Sequence, residues 1–278
     1  MKNSKSAKSL RTAILNAPYT VWSAIFIVVP LGIVLYYAFT DKNGNFSFSA
    51  ISALKDYRYE FGISLLYSLI ATVITLLIGY PFAYFLSRRS AASQRIQSML
   101  VMLPMWMSLL IRTYSWMNLL ERNGIINTLL GKLGISPLQM IGTPGAVILG
   151  MVYNFLPYMI LPIYTVMSKI HPSLLEAAED LGCSGWQKLR RLIVPLSLPG
   201  VLSGISMVFV PSVSTFYISQ KLGDGNILLV GDIIERQMII NNNYNVGASL
   251  SLVLMVLILI SMAVVNRFSA GTEGEMIA

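Results

Sequence analysis

"HPSLLEAAEDLGCSGWQKLRRLIVPL", residues 171–196, is a charged, punctuated segment between two apolar stretches that are each long enough to cross a bilayer. Read as helices, it has two start signals and two stops. Ser173 precedes Glu176 by three residues, the spacing of a capping box, and Pro172 ends the incoming helix. A first short helix is predicted from about Leu174 to Leu181, with Leu174, Leu175, Ala178 and Leu181 on one side and Glu176, Glu179 and Asp180 towards the other. Gly182 ends it, glycine being the residue that most readily takes a left-handed C-terminal position. Ser184 and Gln187 form a second capping box. Trp186, Leu189 and Ile193 line the apolar side of the second helix, and Lys188, Arg190 and Arg191 gather towards its C-terminus. Pro195 is expected to close it. The segment is therefore two amphipathic helices, one acidic and one basic, with a glycine corner where a larger residue is expected to push them apart. Such a hairpin suits either the surface of lipid headgroups or a docking contact with a soluble protein.

The surrounding chain says where the hairpin sits. Of 278 residues, 55% are hydrophobic and 12% charged, against roughly 25% charged in a soluble domain. Stretches of about 20 apolar residues recur at 20–39, 62–86, 99–120, 145–168, 196–219 and 247–266, which predicts an all-α polytopic membrane protein with six spans in one domain, 1–278. Arg112 lies inside the third of these, and Pro199 and Pro211 interrupt the fifth. The N-terminus has basic residues ahead of an apolar run, but that run spans and no small-residue cleavage site follows it, so a signal peptide is not the reading. The tail "SAGTEGEMIA" (269–278) is expected to be disordered.

Charge distribution orients the spans. With the N-terminus inside, the inner segments carry Lys2, Lys5, Lys8, Arg11, Arg88, Arg89, Arg95, Lys169, Lys188, Arg190, Arg191 and Arg267. The outer loops carry Lys42, Lys55, Arg58, Arg122, Lys132, Lys221 and Arg236, balanced by Asp41, Asp56, Glu60, Glu121, Asp224, Asp232 and Glu235. Both termini, and the hairpin at 171–195, are thus expected on the cytoplasmic side. The net charge of +8 belongs to this asymmetry, and nucleic acid is not an expected partner. One cysteine, Cys183, excludes an intrachain disulfide framework, and no Cys/His cluster suggests a metal.

The hairpin resembles the EAA loop of ABC importer permeases, E-A-A-x3-G-x9-I-x-L-P. Glu176, Ala177, Ala178, Gly182 and Pro195 match it, and Leu192 and Val194 are conservative departures. "IGYPFAYFLSRR" (78–89), "MLPMWMSLLIRTYSWMNLL" (102–120) and "GNILLVGDIIERQ" (225–237) resemble the permease subunits of spermidine/putrescine importers, the first of the two paired permeases, and the similarity covers nearly the whole chain. The resemblance implies a type I ABC importer permease fold in a bacterial cytoplasmic membrane. It also implies a heterodimer with a second permease, two copies of a cytoplasmic ATPase, and an extracytoplasmic substrate-binding protein. Glu176, Ala177, Ala178, Asp180 and Gly182 would then belong to the ATPase-coupling hairpin. No G-x-x-x-x-G-K-[ST] loop is present, so no cofactor is expected on this chain, and ATP is expected on the separate ATPase.

A polyamine path would offer carboxylates or aromatic faces to the cation. The expected spans hold no Asp or Glu. Tyr153, Tyr158, Phe216 and Tyr217, on the spans flanking the hairpin, are the aromatic candidates, against ordinary packing or interface roles. Asp224, Asp232 and Glu235 could form an acidic vestibule, or simply a solvated or docking loop. Arg112 would repel a polycation and reads as structural or gating, held by backbone carbonyls or Glu121, or snorkelling to the interface. The other readings are an importer permease for iron, sulfate or phosphonate, and a secondary transporter. The latter would want an intramembrane acid or an inverted repeat, and neither is visible in the sequence. A membrane enzyme would want a nucleophile, base or metal constellation, which is also missing. A mere membrane anchor would not need six spans and a hairpin.

Overall fold

The computed structural model describes residues 16–41 and 43–275. Its principal helices are α1 (Asn16–Ala38), α2 (Arg58–Ser87), α3 (Ala91–Trp106), α4 (Leu109–Leu120), α5 (Ile125–Lys132), α6 (Pro144–Met167), α7 (Pro172–Asp180), α8 (Gly185–Val213), α9 (Tyr217–Leu222), α10 (Val230–Glu235) and α11 (Tyr244–Glu275). An isolated bridge between Thr40 and Phe46 is the extended pairing among the described residues. Among the described residues, five helices are long and apolar enough to cross a membrane, six if the pair around Trp106 and Leu109 counts as one span. The chain is all-α and polytopic. Lys2, Lys5, Lys8, Arg11 and Lys42, which enter the charge comparison, lie outside the described residues, as do the last three residues of the tail. The rest of the tail continues α11 as helix to Glu275 instead of standing as a disordered segment.

The chain divides into two units. One comprises residues up to Asp56 together with Ile234–Met255. Here α1 ends at Ala38, and the carbonyls left without helical partners are taken up by the start of α11. The Asn245 amide donates to the Thr40 carbonyl at 2.6 Å and to that of Tyr37 at 3.1 Å, and the Ser249 hydroxyl donates to the Ala38 carbonyl at 3.1 Å. The turn that follows is held by Asp41, whose Oδ1 accepts from the backbone of Asn43 at 2.8 Å and Asn45 at 3.0 Å.

The other unit, Tyr57–Ile233 with Val256–Ala278, is built on α2, α6 and α8. In hydrocarbon there is no hydrophobic drive between helices, so close packing of small residues takes its place. On α2 the buried face reads Ser64, Ser68, Ala71, Thr72, Thr75, Gly79 and Ala83. Met159 of α6 seats against Gly79 of α2 and Gly204 of α8: a Cβ would meet its Cγ at 3.1 Å from the first and its Sδ at 2.7 Å from the second. At Gly200 a Cβ would meet the Pro162 carbonyl oxygen at 2.9 Å. Gly200 and Gly204 are spaced in the sequence as G-x-x-x-G, a motif that lets a partner helix come close, and that partner is α6 of the same chain. Tyr80 of α2 and Ser197 of α8 share a hydrogen bond of 2.9 Å.

Two helix ends differ from the expected spans. The third is broken: Met107 and Ser108 are extended, three residues beyond Pro104, and the helices on either side diverge by 90°. The fifth passes through Pro199 without interruption and stops at Val213, just after Pro211, so that 214–216 is a turn leading into α9, which holds 217–219.

Candidate functional site

The hairpin of 171–195 is formed, with three adjustments. His171, not Ser173, is the N-cap of α7: its Nδ1 accepts the Ser173 N–H at 3.3 Å and shares a hydrogen bond of 2.7 Å with the Ser173 hydroxyl. Pro172 at the first helical position moves the start two residues upstream of the expected one, since a proline there loses no helical bond. Pro195 does not close the second helix. Residues Leu189–Ile193 form a π-turn in which the Val194 N–H reaches the Leu189 carbonyl, and this wider turn takes in the proline, so the helix continues into α8. Nor does crowding set the corner. A Cβ on Gly182 would meet nothing within 4 Å, and its requirement for glycine is the φ of +77°.

The remaining geometry makes the corner stiff. Gly182 N–H donates to the Glu179 carbonyl at 2.8 Å and Cys183 N–H to that of Ala178 at 3.0 Å, the paired closure of a Schellman motif. Ser184 and Gln187 form the expected capping box, with bonds of 3.3 and 2.8 Å. A further tie is an ion pair between Glu179 and Lys188 that joins the acidic helix to the basic one.

Glu176, Ala177 and Asp180 are exposed on α7, and Ala178 is half-buried. The two faces of the hairpin differ. Leu175 and Leu189 pack against the core cluster of Met159, Ile163, Met167, Ile193 and Val208, so one face belongs to the spans. Leu174, Leu181 and Trp186 point away from that core, with Leu181 84% and Trp186 69% exposed. On a segment outside the spans, exposed apolar groups this large suit a contact with a protein or with lipid headgroups.

The residues offered for the solute path are dispersed. Tyr153 meets Trp116 edge-on at 5.2 Å and lines an apolar pocket of about 180 Å3 with Phe82 and Pro157. Tyr158 lies 6.4 Å from Phe155 and is partly exposed. Phe216 is exposed before α9. Tyr217 packs edge-to-face with Tyr114 of α4, 6.4 Å between centroids. The three acids have different surroundings. Asp224 is exposed, with a φ of 48°, and lines a cleft of about 460 Å3 with Glu121, Arg122 and Lys221. Asp232 is 3% exposed, and its Oδ2 accepts the Leu229 N–H at 2.7 Å, bracing the start of α10. Glu235 belongs to the other unit. Lys221 is not among the residues expected for the path, and Glu121 is expected only as a partner of Arg112. Lys221 was legible in the sequence, standing four residues after Tyr217 and so on the same helical face.

Arg112 is 7% exposed in the first turn after the break in the third span. Neither its Nε nor its Nη1 has an acceptor among the described residues, so the expected pairing with Glu121 or with carbonyls does not form at those atoms.

The chain resembles known proteins over nearly its whole length. Residues 100–273 match the family model of the "Binding-protein-dependent transport system inner membrane component". The spermidine/putrescine transport system permease protein PotB of Haemophilus influenzae is 37% identical over 88% of this chain and 90% of its own length. PotB of Escherichia coli K12 is 33% identical over 89% and 94%. Among solved structures, a bacterial ABC transporter that imports the acidic polysaccharide alginate shares the fold at a TM-score of 0.77, covering 97% of this chain and 99% of that one at 19% identity. The spans, the hairpin between them and these relatives agree: the chain belongs to the inner-membrane permease components of binding-protein-dependent ABC importers.

Proposed function

We propose that this permease carries polyamines, spermidine or putrescine, as one of two paired permeases driven by a separate ATPase. The observation that carries the substrate is the identity of 37% and 33% to permeases named for spermidine and putrescine, spread over nearly nine-tenths of the chain. Fold alone would not choose it, since a transporter of the same fold imports an acidic polysaccharide. The chain itself performs no covalent step. Nucleotide is bound by the ATPase pair, solute is delivered by an extracytoplasmic binding protein, and both termini face the cytoplasm.

In this reading the exposed face of the hairpin, with Glu176, Ala177, Ala178 and Asp180, enters a cleft of the ATPase, and Gly182 sets the corner. ATP closes the ATPase dimer, the hairpin moves with it, and the two permeases open outward to receive solute. Hydrolysis returns them inward. Of the path residues, Tyr153 and Tyr158 lie on α6 and Phe216, Tyr217 and Asp224 near α9. Asp232 and Glu235 serve the local structure or the docking of the binding protein. Arg112 is structural or gating.

The test is uptake of radiolabelled spermidine by the reconstituted complex with wild-type, Glu176→Ala or Gly182→Trp permease. We expect uptake with the wild type and at least a tenfold loss in both variants with the subunit still in the membrane. Wild-type complex that hydrolyses ATP and takes up no spermidine or putrescine would discard the substrate. Full uptake by Gly182→Trp would discard the coupling role.

A further inference from the structure

Tyr217 and Lys221 stand one turn apart on α9 and share a face. The Lys221 Nζ lies 5.4 Å from the centroid of the Tyr114 ring and 5.9 Å from that of Tyr217. The two rings meet edge-to-face at 73°. An ammonium within about 6 Å of a tyrosine centroid is held by the ring quadrupole. Two aromatic rings therefore converge on one cation, and that cation is the protein's own. This chain does not itself cover the seat: Tyr114 is 43% exposed and Lys221 is only half-buried.

The same lysine lines the cleft that holds Glu121 and Asp224. Neither carboxylate stands in an ion pair among the described residues. Lys221 thus rests on the tyrosines with carboxylates available in the same cleft. A cation leaving the rings would have somewhere to go.

We propose that Tyr114 and Tyr217 form a binding seat for one ammonium group of a diffusing organic polycation, and that Lys221 is a tethered competitor for that seat. When a substrate ammonium enters, Lys221 swings to Glu121 or Asp224, and the carboxylate left over faces a second ammonium of the same substrate. A tethered ligand competes at an effective concentration on the order of millimolar, so substrate is held loosely and leaves readily. A conduit needs that property. The inference rests on the polyamine reading, which supplies the class of ligand.

The test uses the complex of both permeases and the ATPase in lipid nanodiscs, without binding protein, titrated with spermidine. Lys221→Met removes the competitor, and we expect half-saturation at about two- to fivefold lower spermidine, the range of one exposed cation–aromatic contact. Lys221→Gln is a second neutral variant should Met perturb folding. Lys221→Arg restores a cation and should reverse the gain. Tyr114→Leu added to Lys221→Met should abolish it. Unchanged half-saturation in both neutral variants, or a gain that survives Tyr114→Leu, overturns the proposal while uptake by the wild-type complex leaves the polyamine reading standing. Absence of wild-type uptake with binding protein present overturns that reading, and this inference with it.

Discussion

At Gly182 the backbone rather than the side-chain space decides what the position accepts. The left-handed φ costs an ordinary L-residue roughly 1–2 kcal/mol, and asparagine tolerates it better than alanine does. A Cβ there has open space, so size alone carries no penalty within this chain. We expect Gly182→Asn to retain more spermidine uptake than Gly182→Ala, although asparagine is larger. Alanine performing better than asparagine would mean that crowding against the ATPase, not backbone strain, sets the requirement. Arg112 shows a different residue-scale conflict. A buried guanidinium without acceptors at Nε and Nη1 is costly in any apolar surrounding, so the packing of this chain alone does not account for it.

At the scale of elements, the contact of α8 with α6 depends on two glycines that are not equivalent. A Cβ at Gly200 would press on the backbone of Pro162 and Ile163, at 2.9 and 3.0 Å, whereas at Gly204 its nearest neighbour is the flexible Met159 sulfur at 2.7 Å. Overpacking costs about 1–3 kcal/mol, and least where a side chain can yield. Gly200→Ala should therefore lower the thermal unfolding midpoint in detergent by more than Gly204→Ala, and the opposite order would refute the helix contact described here. This pair was visible in the sequence as a motif, but which helix it would meet was not. The legible parts of the fold were those written in local chemistry. Apolar length located the spans, and Ser184, Gln187 and Gly182 specified the second cap and the corner. The illegible parts depended on competition between neighbours. Pro195 reads as a stop until a π-turn absorbs it, Ser173 reads as a cap until His171 with Pro172 displaces it, and Pro104 does not announce a right-angled break at Met107 and Ser108. Nor does the sequence say that Asp232 is used by its own backbone.

For the whole molecule, the question is how force reaches the spans. The hairpin has an inner face, Leu175 and Leu189, set in the cluster that joins α6 and α8, and an outer face, Leu181 and Trp186, open to a partner. Between them the Schellman closure, the capping box and the Glu179–Lys188 pair keep the two helices from folding past each other. In the proposed coupling, holding the ATPase and transmitting its motion would fall to different residues, and mutations should separate them. Trp186→Ala removes an exposed aromatic anchor, a type of contact that often contributes about 2 kcal/mol or more to an interface, and should release the ATPase from the purified complex. Leu189→Ala leaves the outer face intact but opens a void of several methylene groups under the hairpin, at a cost of roughly 2–5 kcal/mol if that site were fully buried and less for its partial burial. It should keep the ATPase bound and its hydrolysis running while uptake falls. Co-purification and uptake measured on the same two preparations decide the matter. If both variants lose the ATPase together, docking and transmission are a single function of one surface, and the division into inner and outer faces has no mechanical meaning.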